Sequence, residues 1–204
     1  MGELLKGRWP EPEKEKSPKI RLEWAFDTSK KSIQKVSEVG KTFQEKLVEI
    51  GWEEDEAWGL CYGLQEAVTN AFVHGNLGIQ KLLKDKEGNT KSTGALVEAA
   101  LEKLAKATEE EKKDLKKRVE VTVEMDKNRV IVKVRDEGPG FNFDDVKDPT
   151  SSATPDEELE ASGRGVFLIK KFFNSRDCKK IVDDEGKKWS EVILIREKGK
   201  EIIN

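Results

Sequence analysis

From Val119 to Val134 nearly every second residue is apolar: Val119, Val121, Val123 and Met125, then, past Asp126-Lys127-Asn128, Val130, Val132 and Val134. A period of two puts those side chains on one face of a strand, and a one-residue slip would turn all of them into water. The polar interval is a turn, so the segment predicts an antiparallel hairpin with one buried face. Such a face needs apolar helices laid across it, and two runs upstream supply them. Ile33, Val36, Val39, Phe43, Leu47 and Ile50 recur at spacings of three and four. Asp27-Thr28-Ser29 offers the N-cap of that helix and Gly51 closes it. The second run, from about Glu53 to Val73, is apolar on more than one face (Trp58, Leu60, Cys61, Leu64, Val68, Ala71, Phe72) and is expected to be largely buried. It ends near His74-Gly75-Asn76.

The remaining segments extend the same architecture. Ile20, Leu22, Trp24 and Phe26 share one face of a short strand. Gly163 to Phe173 reads as a short helix, and Cys178–Val182 with Trp189–Ile195 forms a second hairpin around Asp184-Glu185-Gly186. Residues 1–18, charged and proline-bearing, read as a flexible arm before a single domain at 19–204. Residues 77–118, rich in Ala, Glu and Lys, read as a solvated helical insertion. Gly138 to Ser162 is long and irregular, as mobile lids are, with the lid proper at 142–162. The order predicts an α+β fold, a two-layer sandwich with helices on one face of a mixed, mainly antiparallel sheet.

Charge and composition exclude several classes. With 38 basic and 41 acidic residues among 204, the net charge is -3, which gives no basic stripe for a nucleic acid. No stretch approaches the roughly 18 apolar residues of a membrane span, and the first residues lack the apolar core of a signal peptide. Gly2 does not open a myristoylation motif, because Lys6 stands where Ser or Thr is required. Two cysteines are too few for a disulfide framework, and a cytoplasmic location is expected. One histidine and two distant cysteines do not make a zinc site. Gly40-Lys41-Thr42 mimics the end of a P-loop, but Lys35 occupies its first glycine and the segment lies inside a helix.

Three motifs carry chemistry. Glu66 and Asn70, four residues apart on the second helix, share a face where polar groups are costly to bury without partners. A carboxylate and an amide so placed suit a base and a metal ligand, or else satisfy a neighbouring loop. Asp136-Glu137-Gly138-Pro139-Gly140-Phe141 follows a valine-rich strand directly. Asp-x-Gly-x-Gly is expected about 0.05 times by chance in such a chain, and Asp136 can accept a hydrogen bond from an exocyclic amine. Ser162-Gly163-Arg164-Gly165-Val166-Phe167 opens the next helix, where exposed N–H groups and the helix dipole favour an anion such as polyphosphate.

Taken in order, these motifs resemble the N, G1 and G2 boxes of the GHKL (Bergerat-fold) ATPases. The run Glu66-Ala67-Val68-Thr69-Asn70-Ala71-Phe72-Val73-His74-Gly75 and the run Ser162 to Ile169 are similar to the anti-sigma-factor serine kinases of bacterial partner-switching systems. The resemblance implies a Bergerat sandwich that takes ATP and Mg2+. Carried over by position, Asn70 is the Mg2+ ligand, Glu66 the base and Asp136 the adenine reader. Gly138 and Gly140 shape the adenine pocket, with Phe141 beside them. Gly163, Arg164, Gly165 and Val166 line the phosphates, followed by Phe167. Ser190 reaches the adenine side, and His74 approaches the nucleotide. The implied activity is phosphorylation of an anti-sigma-factor antagonist on serine or threonine, with a sigma factor as a further partner and a homodimer as the assembly.

Two features depart from the pattern. The 77–118 segment lengthens a connection that is short in compact members. Ala161 stands where some sporulation-type members carry arginine, so Arg164 is the residue left to face the γ-phosphate. An ATP- or ADP-sensing module that sequesters a partner without catalysis, and a simple ATPase, therefore stand beside the kinase. The catalytic half of a histidine kinase is disfavoured, because the only histidine is His74 inside the N box.

Overall fold

A computed structural model describes residues 19–79, 93–108, 110–111, 117–140 and 164–202. The expected arm at 1–18 and lid at 142–162 lie outside the described residues, as do Phe141 and Gly163. In chain order the elements are β1 (Ile20–Asp27), α1 (Lys30–Gln34), α2 (Val36–Glu49), α3 (Glu54–Asn70), a π-helical segment (Ala71–Asn76), α4 (Thr93–Lys106), β2 (Arg118–Met125), β3 (Arg129–Asp136), α5 (Arg164–Phe172), β4 (Ser175–Val182) and β5 (Lys188–Glu197).

The strands form one sheet in the order β1-β2-β3-β5-β4, and each of its pairings is antiparallel. The two-layer α+β expectation holds, with a sheet that is antiparallel throughout rather than mixed. The β2–β3 hairpin keeps the register its alternation demands: Val121 faces Val134, Val123 faces Val132 and Met125 faces Val130. Those valines, with Val192 and Leu194 of β5, form the floor of a core roofed by α2, α3 and α5. The opposite face of the sheet carries ion pairs, Arg21 on Glu124 and both Arg135 and Lys179 on Glu191, beside the apolar residues Ile131, Ile193 and Ile195.

Helix α3 lies between α2 and α5, and small residues set its close approach. A Cβ at Gly59 would fall 2.1 Å from the Phe172 ring, and one at Gly63 would fall 2.6 Å from Phe173. Gly40, the P-loop decoy, is pressed in the same way against Gln65. The expectation that α3 is buried on most of its surface holds only on its inner side. Trp58 is 55% and Tyr62 36% exposed, their rings stacked edge-to-face at 4.1 Å on the outer side of the layer. Period and hydrophobicity counted Trp58 as core because aromatic residues usually are. Tyr62 instead shields part of it at the surface.

The single helix expected over 33–50 is two. Ser29 caps α1, its hydroxyl accepting the Ser32 N–H, and the chain turns at Lys35 before α2 begins. The segment read as a solvated insertion also differs from expectation where it is described. Ala100 of α4 is fully buried, Val97, Leu101 and Leu104 pack against the core, and Lys103 Nζ donates to the Leu77 carbonyl at 2.6 Å. Its apolar residues at 97, 100, 101 and 104 form a helical stripe, so the helix docks on one face.

Candidate functional site

The end of α3 and the end of β3 meet under the helical layer, and a cavity of about 460 Å³ opens there. That volume lies within the range of small-molecule sites. Asn70, His74, Gly75, Asp136 and Gly140 line it together with the apolar walls Ala71, Ile79, Val134, Ile169 and Val192. Four of the residues singled out in the sequence, Asn70, His74, Asp136 and Gly140, thus converge on one space from two distant segments.

The π-helical turn explains how. An α-helix continued past Asn70 closes its bonds at i+4, whereas the wider π turn shifts the following residues and is found mostly at functional sites. Gly75 is thereby brought against β3: a Cβ there would lie 2.3 Å from Asp136 Oδ1. Gly138 sits as close on the other side, where a Cβ would fall 2.4 Å from Gly75 Cα. Only a pair of glycines allows that contact. Gly140 takes φ +74°, the left-handed region that favours glycine, and turns the chain at the cavity's edge.

Asp136 is 5% exposed. Burial pushes its carboxyl up to about 6, against the Gly138 N–H bond and the charge of Lys117, both of which favour ionisation. The Gly138 N–H donates to Asp136 Oδ1 at 2.7 Å. Ser190 is the β5 residue directly opposite Asp136, fully buried and within reach of Gly140 and Cys178. Paired residues of adjacent strands point to the same face, so Ser190 and Asp136 share the inner face of the sheet.

Asn70 Nδ2 is buried with no hydrogen-bond partner among the described residues. An unsatisfied buried amide costs about 1–3 kcal/mol, and its complement is a ligand oxygen. Turned about its last torsion, the same amide presents a hard oxygen donor. Among the described residues no three acidic, cysteine or histidine side chains gather to hold a metal. A lone amide oxygen suits Mg2+ only with a polyphosphate, because that ion keeps most of its ligands from phosphate and water. Glu66, one turn before Asn70 and half-buried, points instead at α5: a Cβ on Gly165 would meet Glu66 Oε2 at 2.2 Å. Gly165 stands in the first turn of α5, where main-chain N–H groups and the helix dipole attract anions. Val166 packs into the core and Phe167 is half-buried, so Val166 offers a ligand its main chain rather than its side chain. Arg164 begins the helix, its side chain lying outside the described residues.

A domain of known family accounts for this arrangement. The model of the histidine kinase-like ATPase domain matches residues 78–190, more than half of the chain. The chain belongs to the histidine kinase-like ATPase domain family. The match takes in the Asp136 turn, Gly165 and Ser190, and begins just beyond the helix that carries Glu66 and Asn70. No curated protein matches the chain by sequence. Among solved structures, a chain of the SiaB–SiaC complex from Pseudomonas aeruginosa is similar at 13% identity and TM-score 0.47, over 85% of this chain and 89% of that one.

Within this histidine kinase-like ATPase domain, His74 is held by its own loop. Its Nδ1 lies 2.5 Å from the Ile79 carbonyl; a carbonyl only accepts, so Nδ1 carries the proton. Sequence reasoning missed Asn76, which it treated as part of a helix end, and the walls Gly78 and Ile79. The one local signal was an amide directly after His-Gly at the close of an apolar helix.

Proposed function

We propose that this protein is an ATP-dependent protein serine/threonine kinase, acting as an anti-sigma-type regulator in a bacterial partner-switching system. The observation that carries the reading is the convergence of Asn70 and Asp136 on one cavity. Both residues line that cavity, while Glu66 lies one helical turn from Asn70 against the first turn of α5. The N-box and G2-box runs support the kinase branch, since they resemble the anti-sigma-factor kinases more than other ATPases.

In this reading Asp136 accepts the adenine amine in the cavity, and Ala71, Val134, Ile169 and Val192 enclose the ring. Asn70 and the main chain at Gly165 face the phosphates. Mg2+, when bound with the triphosphate, supplies charge neutralisation on its oxygens. The Glu66 carboxylate takes the proton of the partner's serine or threonine hydroxyl as that oxygen bonds to the γ-phosphorus. The bond from the γ-phosphorus to the β,γ-bridging oxygen breaks, and ADP leaves. The acceptor is a protein of the anti-sigma-factor antagonist type.

A positioned base contributes about 10²–10⁴-fold. Glu66→Ala and Glu66→Gln are therefore expected to slow transfer of labelled phosphate to a purified antagonist protein by that factor, with ATP affinity held within a few-fold. Equal loss of both would make Glu66 a structural residue. Phosphate release without label on the antagonist would identify an ATPase. Nucleotide-dependent binding of the antagonist with neither activity would identify a sensing module.

A further inference from the structure

Asn76 closes the π-helical segment and is 3% exposed. Its side chain is satisfied on both sides. Nδ2 donates to Thr28 Oγ1 at 2.8 Å and to the Arg118 carbonyl at 3.0 Å, while Oδ1 accepts the Glu137 N–H at 2.9 Å. The amide thus ties the helix end to the exit of β1, the entry of β2 and the turn after β3. Its neighbour Gly75 touches the Asp136 carboxylate and Gly138, so residues 75 and 76 clasp 136, 137 and 138. The two N–H groups that follow Asp136 are both consumed by side chains, that of Glu137 by Asn76 and that of Gly138 by Asp136 itself. None of these bonds leaves Asp136 free to swing with its turn.

We propose that Asn76 is a positioning residue for purine selection, holding the turn at 137 so that the Asp136 carboxylate meets an exocyclic amine in a fixed place. The inference rests on the reading of Asp136 as the adenine acceptor. Asn76 touches no substrate; it acts through Asp136.

The test compares Mg-ATP with Mg-ITP, which carries a carbonyl in place of the adenine amine, by calorimetry at pH 8, where Asp136 is ionised. Wild type is expected to prefer ATP by at least about tenfold, the worth of one hydrogen bond to a charged group. Asn76→Ala, and Asn76→Leu, which preserves the volume if the smaller residue unfolds the chain, are expected to bring the ratio to within about threefold of unity. ITP affinity should stay within about threefold of wild type. Asn76→Asp keeps an acceptor before the Glu137 N–H and is expected to retain the preference. Parallel loss for both nucleotides, an unchanged ratio, or a lost preference in Asn76→Asp overturns the proposal and leaves the Asp136 reading intact. A wild type that binds both nucleotides equally overturns the Asp136 reading and this proposal together. A wild type that binds neither overturns the proposed function itself.

Discussion

Burying the Asp136 carboxylate costs stability, and the cost depends on pH. The carboxyl titrates at about 6 in the folded chain because burial penalises the charge, against about 3.9 when unfolded. A raised folded value means the contribution to stability is fully present below about pH 4 and is lost as pH rises through 6. Two units correspond to ~3 kcal/mol. Denaturant unfolding of the ligand-free protein is expected to show that loss between pH 4 and 7, and Asp136→Asn is expected to flatten it. Nucleotide affinity should run the other way, rising through pH 6 as the carboxylate becomes a pure acceptor, and falling in Asp136→Asn. An identical pH profile in the two proteins would remove Asp136 from both roles. Glu66, Asn70, Asp136 and the glycines around them were legible in the sequence because each belongs to a short motif with its own chemistry. Asn76 was not, since its partners lie 48, 42 and 61 residues away. An amide so far from its partners carries no local pattern.

Two elements behave differently from their one-dimensional signature. The π-helical segment replaces what periodicity reads as the last turn of α3, because apolar spacing at Ala71, Phe72 and Val73 is compatible with either winding. The wider winding goes with the close approach of Gly75 to Asp136 and Gly138, which no larger residue at either glycine would allow. Helix α4 illustrates the opposite error: charge density suggested a solvated helix, and the four apolar residues that dock it were outweighed in that reading. Its Lys103 bond to the Leu77 carbonyl supports the stretch that continues into Gly78 and Ile79 of the cavity wall. Ala100→Glu places a charge at a fully buried position and is expected to cost about 2–4 kcal/mol in denaturant unfolding. A solvated insertion would lose no more than about 0.5 kcal/mol.

At the scale of the molecule, the cavity is enclosed by parts of α3, the π-helical segment, β3, α5 and β5, so a nucleotide bound there ties both layers together. A ligand that binds only the folded state at 100 times its dissociation constant adds about 2.7 kcal/mol. For a chain of this size that is a rise in melting temperature of roughly 5–10 °C. Mg-ATP and Mg-ADP are both expected to produce it, and a melting curve unmoved by either would contradict nucleotide binding. The sequence by itself determined the layers, the hairpin register and the three motif sites, because period two, helical spacing and glycine placement are set by each segment's own backbone geometry. Tertiary structure alone decided that Asn70 and Asp136 share a cavity, that Glu66 turns toward Gly165, that Trp58 lies outside, and that Asn76 holds the turn after β3. Those are contacts between segments far apart in the chain, and they exist only once close packing has chosen which surfaces touch.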